Sequence, residues 1–386
     1  GVEPYTTEAA EWASTYGLFH WGFTAWAFYC LPTLAIGYPY YVRKMNHMRF
    51  SIGCSHYLKG REVGPLARFI DFLFIIAMVG GAATSLGFST PMIAACISWL
   101  FGIENNFTLE VSVMFLCLAL FATSVWLGLR KGIRTLSDIN LGISVVLLLF
   151  ILVVGPTAFL LKTSLNGVGL MMQNLVRMNF WSDPFTNSGF VENWTIFYWA
   201  WWIAFAPYVG MFVARISQGR TIRQIIVGML VFGSLGCWVF YMIIGNYALF
   251  LELEGIVTST QIINEQNQSA AIVAVLSQLP MPAIVIGIFC TMAIIFVATT
   301  YDSASYTLAS SATLHLPAGD DPSRGHRVFW AFALGALPIS LLFIGGLQVM
   351  QVVLLVVSVP ILIVGIFMCV SLVRSLQQDY PEHHPP

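Results

Sequence analysis

The stretch Trp194-Thr195-Ile196-Phe197-Tyr198-Trp199-Ala200-Trp201-Trp202 packs four tryptophans, a tyrosine and a phenylalanine into nine residues. It opens a run, 194–214, that carries no charged side chain. About 20 mostly apolar residues are enough for a helix to cross a bilayer. Eight further runs of this kind lie at 15–42, 66–100, 107–129, 138–161, 224–251, 282–312, 328–346 and 349–373. The chain is 58% hydrophobic and 9% charged, against roughly 25% charged residues in soluble domains. These features predict an all-α membrane protein with nine transmembrane helices.

Charge sets the expected orientation, because cytoplasmic loops are enriched in Lys and Arg. Counted loop by loop, fifteen of the seventeen basic residues fall on one side of the nine spans. Only Lys162 and Arg177 fall on the other. Residue 1 is therefore expected outside and the C-terminus in the cytoplasm. The basic residues sit in short loops, so nucleic-acid binding has no support. The seven cysteines show no CxxC or Cys/His spacing, so neither a metal site nor a disulfide framework is indicated. Paired carboxylates or an activated nucleophile, which a membrane-embedded enzyme would need, are not visible in the spans.

Aromatic faces are the protein surface best suited to a cation that cannot donate hydrogen bonds. On a helix, Trp21, Trp26 and Tyr29 fall within an arc of about 140°. In the 194–214 run, Tyr198, Trp202 and Phe205 form a stripe flanked by Trp201. Two readings stay open from the residues alone. One is an interfacial belt, where Trp and Tyr anchor membrane helices; it suits Trp194. The other is a ligand cage; it suits Trp202, which lies about 12 Å deeper. His20 is expected to pack, and Asp71 to pair with Arg68. Asp302, an intramembrane carboxylate and so a functional candidate, is expected in a hydrogen-bonded role or paired with a loop arginine. Thr299 and Thr300 place hydroxyls deep in an apolar helix. They read either as oxygen ligands for a hard cation or as groups bonded back to their own helix.

The aromatic run, followed by Ala214-Arg215-Ile216-Ser217-Gln218-Gly219-Arg220-Thr221-Ile222-Arg223, resembles the signature of the betaine/choline/carnitine transporter family. His20-Trp21-Gly22-Phe23-Thr24-Ala25-Trp26-Ala27-Phe28-Tyr29 resembles that family's fourth transmembrane helix. The resemblance implies a secondary transporter of onium solutes such as glycine betaine, carnitine, choline or dimethylsulfoniopropionate. It implies the inverted-repeat fold of the sodium/leucine-transporter type, with helices four to twelve of twelve present and the chain truncated at its N-terminus. Divided on that scheme, 1–14 is an extracytoplasmic segment and 15–162 the remainder of the first repeat. Residues 163–193 form an outer loop with an interfacial helix, 194–375 the second repeat and 376–386 a cytoplasmic tail.

By the same resemblance Trp21, Trp26, Tyr29 and Trp202 form the substrate cage, and Trp201 and Phe205 lie on the inner path. Phe296, Thr299 and Thr300 contribute to one sodium site, with sodium as coupling ion and no other cofactor. The family's sodium-independent exchangers carry a fixed arginine where Asn140 stands here. Met78 and Ala82 stand where a second sodium site would need hydroxyls, so one sodium site is expected. Exchange and proton coupling remain alternatives, as does an osmosensing receptor without transport. A homotrimer in the inner membrane of a bacterial cell, in contact with membrane lipid, is implied in the same way.

Overall fold

Residues 15–42 read as one span, yet the helix is broken at Trp21-Gly22. In the computed structural model, which describes residues 2–3, 5–45, 48–127, 130–313, 321–344 and 346–381, helix α1 runs Thr7–His20 and α2 runs Phe23–Tyr41. The cause is a side chain inserted into the backbone ladder. The Trp238 indole N–H donates to the Leu18 carbonyl at 2.8 Å, the group an unbroken helix would offer to the Gly22 amide. The Gly22 amide bonds instead to the Phe19 carbonyl at 3.2 Å. Such insertions are among the few causes of sharp helix kinks. A Cβ on Gly22 would lie 2.6 Å from the Leu18 carbonyl and 3.0 Å from the indole nitrogen. Only glycine fits that approach.

The next helices are α3 Pro65–Phe101, α4 Phe107–Leu127, α5 Arg130–Val154 and α6 Thr157–Phe180. The fourth expected span, 138–161, is therefore divided. Proline at 156 supplies no amide hydrogen, and helix α5 stops just before Gly155-Pro156. The interfacial helix expected within 163–193 is part of the longer α6, which begins inside the run read as a span. Helix α7, Val191–Ile216, starts with a π-helical turn over Val191–Ile196. Helix α8, Ile222–Leu253, contains two more, at Gly228–Gly233 and Tyr241–Gly245. A Thr221 capping box starts α8: its hydroxyl accepts from the Gln224 amide at 3.2 Å, and the Gln224 side chain accepts from the Thr221 amide at 3.0 Å. Short helices α9 Ser259–Glu265 and α10 Gln268–Leu276 precede α11 Pro282–Ser311, α12 Arg324–Ile344 and α13 Gly346–Asp379. The tail expected at 376–386 thus begins as helix; residues 382–386 lie outside the described residues.

Among the described residues there is no strand, and seven helices are long and apolar enough to cross a membrane. They are α3, α4, α7, α8, α11 and the greater parts of α5 and α13. Of the nine spans expected, the first is the broken α1–α2 pair and the eighth is the 21-residue α12. The chain is an all-α, multi-pass membrane protein.

The helices group into two compact units. One comprises residues 1–24, 86–195 and 233–300; the other comprises 25–85, 196–232 and 301–386. In the first, α1 crosses α6 closely at Gly167, where a Cβ would lie 3.1 Å from Ser14 Oγ. Small residues of this kind let membrane helices approach. A buried polar relay follows: the Ser14 hydroxyl donates to Asn246 Oδ1 at 2.8 Å, and Asn246 Nδ2 donates to Ser164 Oγ at 3.1 Å. In the second unit, α2 and α7 meet at Gly210, where a Cβ would lie 2.7 Å from Pro32.

Candidate functional site

The close approach at Gly210 brings the aromatic side chains of α2 and α7 into contact. Trp26 and Tyr29, one turn apart on α2, meet edge to face with ring centroids 5.6 Å apart. Trp202 of α7 lies 5.7 Å from Trp26 and 4.6 Å from Tyr29. Trp202 is 5% exposed. Aromatic pairs at such separations add about 0.5–1.5 kcal/mol each beyond area burial. The three rings make one continuous aromatic wall. The Trp26 indole N–H is buried with no hydrogen-bond partner among the described residues. A buried polar group left this way costs on the order of 1–3 kcal/mol.

The neighbouring residues of the run point elsewhere, as successive positions must on a helix. Trp201 lies 5.7 Å from Phe197 and stacks on Tyr198 at 6.4 Å with the planes 17° apart. Phe205, one turn beyond Trp202, is buried against Gly81 of α3, where a Cβ would come within 3.0 Å of its ring. Trp21 belongs to the first unit, where its ring lies 6.2 Å from Tyr241. Of the four expected cage residues, Trp26, Tyr29 and Trp202 come together within the second unit, and Trp21 belongs to the first. The contact with Tyr241 was not foreseen, because it joins residues more than 200 positions apart in sequence. Trp199, 5.6 Å from Phe28, also ties α7 to α2.

The three expected sodium ligands share one stretch of α11. Thr299 donates to the Ile295 carbonyl at 2.9 Å and lies 3.2 Å from the Phe296 carbonyl. The back-bonded arrangement is thus present. Thr300 is half-buried and Phe296 is exposed. Asn140 is buried on α5, donating to the Met292 carbonyl of α11 at 3.3 Å. The Ser144 hydroxyl, which donates to the Asn140 carbonyl at 2.8 Å, closes that corner. Met78 and Ala82 are buried, and the Ala82 carbonyl accepts from the Tyr301 hydroxyl. Thr84 is bonded back to Gly80 at 3.2 Å.

The buried charges find specific partners. Asp302 faces Arg327 at the start of α12, 3.8 Å away, as expected of a carboxylate paired with a loop arginine. Arg327 and Arg215 both lie over the Tyr306 ring, at 5.5 and 4.9 Å from its centroid. Asp71 departs from its expected pairing. It accepts from the Ser51 amide at 2.8 Å and the Ser51 hydroxyl at 3.1 Å, while Arg68 is exposed. The segment folding over α3 supplies donors at closer range than a side chain one turn away. His20, expected to pack, is buried and pairs with Thr195 at 3.0 Å.

Comparison with known proteins agrees with this architecture. The sequence profile described as "BCCT, betaine/carnitine/choline family transporter" matches residues 1–381. The chain is 34% identical over 382 residues to the "Uncharacterized transporter YeaV" of Escherichia coli K12, covering 99% of this chain and 79% of that one. It is 34% identical over 387 residues to a carnitine transporter of Acinetobacter baumannii, covering 99% of this chain and 70% of that one. A transporter rather than an enzyme is thereby indicated. With a family match across nearly its whole length, this multi-pass membrane protein belongs to the betaine/carnitine/choline transporter family.

Proposed function

We propose that the chain takes part in sodium-coupled uptake of a quaternary ammonium or related onium solute, with Trp26, Tyr29 and Trp202 as the wall that receives the cationic head. The convergence of these three rings within one unit carries the reading. A trimethylammonium group has methyls, diffuse charge and no donors, so aromatic faces favour it over strongly hydrated metal cations by about 0.5–2 kcal/mol per good contact. Trp21 is the fourth residue of the expected cage, and Trp201 and Phe205 lie on the expected inner path. The unpartnered Trp26 N–H suits an acceptor on the solute, a carboxylate or a hydroxyl. Carnitine carries both, and it is the solute named for the Acinetobacter relative.

Sodium is assigned to Phe296, Thr299 and Thr300, with hydroxyl and carbonyl oxygens as ligands for a hard cation. The neutral Asn140 favours an exchangeable ion over a fixed one. Residue 1 is placed outside and the C-terminus in the cytoplasm, on the asymmetry of Lys and Arg. A homotrimer is proposed on family membership. Uptake of labelled carnitine, betaine and choline into vesicles, with and without an inward sodium gradient, tests the whole. Accumulation only with sodium supports it. Flux that needs internal substrate and ignores sodium supports the exchanger instead, and binding without accumulation a receptor.

A further inference from the structure

Away from the aromatic wall, the second unit holds an apolar cavity of about 480 Å³ between the start of α3 and the middle of α13. Its lining includes Tyr57, Phe69, Ile70, Leu73, Ile363 and Phe367. This volume lies in the range of small-ligand pockets, about 300–1,000 Å³. Its wall is built, not incidental. The segment Phe50–Leu58 is pinned to α13 at three points. Gly53 is so close to Met368 that a Cβ would come within 2.3 Å of it. The Cys54 thiol lies 4.0 Å from the Val364 carbonyl, and the His56 amide donates to the Ser371 hydroxyl at 3.1 Å. The mouth is open and apolar: Phe69 is 57% exposed and Ile363 51%.

The exposed residues near the lining in sequence are mostly basic. Lys59, Arg61, Arg68 and Arg374 are all exposed, and Glu62 is the acid among them. Arg374 Nη1 lies 3.1 Å from His56 Nε2, which fixes the guanidinium beside the cavity residue Tyr57. Arg374 follows Phe367 by two helical turns on the same face, about 10 Å along the axis. The polar layer of a bilayer leaflet is roughly 5–7 Å thick, so a chain seated at Phe367 places its headgroup at the level of Arg374. Clusters of Lys and Arg at the membrane surface attract anionic headgroups, and arginine binds phosphate bidentately.

We propose that this groove and these basic residues bind one anionic glycerophospholipid, an acyl chain in the cavity and the phosphate against Arg374, Arg61 and Lys59. The test is native mass spectrometry on the purified full chain, titrated with dioleoylphosphatidylglycerol, dioleoylphosphatidylcholine or glycerol 3-phosphate. Retention of the phosphatidylglycerol adduct at least tenfold over phosphatidylcholine is expected, with glycerol 3-phosphate neither binding nor competing. Arg61→Ala with Arg374→Ala, both exposed, should lower the phosphatidylglycerol adduct at least fivefold without altering Tm. Ile363→Trp should fill the groove and lower both lipid adducts. Equal retention of the two lipids overturns the proposal. So does effective competition by glycerol 3-phosphate, or adducts unchanged in both variants.

Discussion

Tyr29 and Trp202 face one another with ring centroids 4.6 Å apart and planes inclined at 49°. They come from helices separated by more than 150 residues of sequence, and both also touch Trp26. Removing Trp202 leaves the wall without the surface both α2 rings lean on. Trp202→Ala should weaken binding of the onium solute at least tenfold, measured by equilibrium binding of labelled carnitine or betaine. About 1.4 kcal/mol corresponds to tenfold, within reach of one or two lost aromatic contacts. Unchanged affinity would remove Trp202 from the site.

Trp26 offers a ring and an unpartnered N–H, and the two can be separated. Trp26→Phe keeps an aromatic face and deletes the donor. Affinity for carnitine or betaine should fall about tenfold or more, since a hydrogen bond to a charged group is worth about 1.5–3 kcal/mol. Tetramethylammonium, which has no acceptor, should bind as before. Parallel losses for both solutes would mean that the ring matters and the N–H does not.

At Thr299 the hydroxyl serves its own helix and, by proposal, a cation. Thr299→Ala should raise the sodium concentration needed for half-maximal uptake severalfold, with little change in Tm, because the internal bond lost is partly exposed. Thr299→Ser, which keeps the oxygen, should restore sodium dependence. Failure of serine to rescue would show that the hydroxyl is not a ligand.

The pair Asp302–Arg327 tests how the interior tolerates charge. The two side chains are 14% and 6% exposed. Asp302→Ala strands Arg327 among apolar groups, at a cost of about 3–5 kcal/mol for a buried pair broken on one side. A marked fall in Tm is expected, with recovery in the double variant Asp302→Ala/Arg327→Met. If the double variant melts as low as the single, the pair is not the cause.

One pH response lies outside the spans, in the loop after α6. Asp183 accepts from the Ser188 hydroxyl at 2.6 Å, from the Thr186 hydroxyl and from the Ser188 amide at 2.7 Å. These bonds, the Ser188 hydroxyl foremost, hold its carboxyl down at about 2. A lowered carboxylate stabilises the folded loop above its unfolded value of about 3.9 and loses that contribution as pH falls through its folded value. Protection of residues 181–190 against hydrogen exchange, taken relative to the intrinsic rate at each pH, should therefore fall between about pH 4 and pH 2. Asp183→Asn, which tolerates the positive φ of 49° at this position, should flatten that response. An unaltered profile would count against the loop depending on this carboxylate.

Hydropathy located seven of the nine expected spans as long apolar helices among the described residues, because burial in lipid demands helices whose backbone bonds close internally. The spacing of Trp26 and Tyr29, and the family signature around Trp194–Trp202, were legible for the same local reason, whereas the break at Trp21-Gly22 takes Trp21 off the helical face it was expected to share. The tertiary structure decided the rest. It brought Trp202 of α7 against Trp26 and Tyr29 of α2 at defined distances, and it joined Asp71 to Ser51 rather than Arg68. It also broke the first span at Trp21-Gly22, through an indole more than 200 residues away that takes the Leu18 carbonyl. In a membrane the lipid is as apolar as a packed neighbour, so an aromatic-rich helix shows no preferred face in its own sequence. The partner helix chooses the face by shape, at Gly210 and Pro32 here, and that information is non-local.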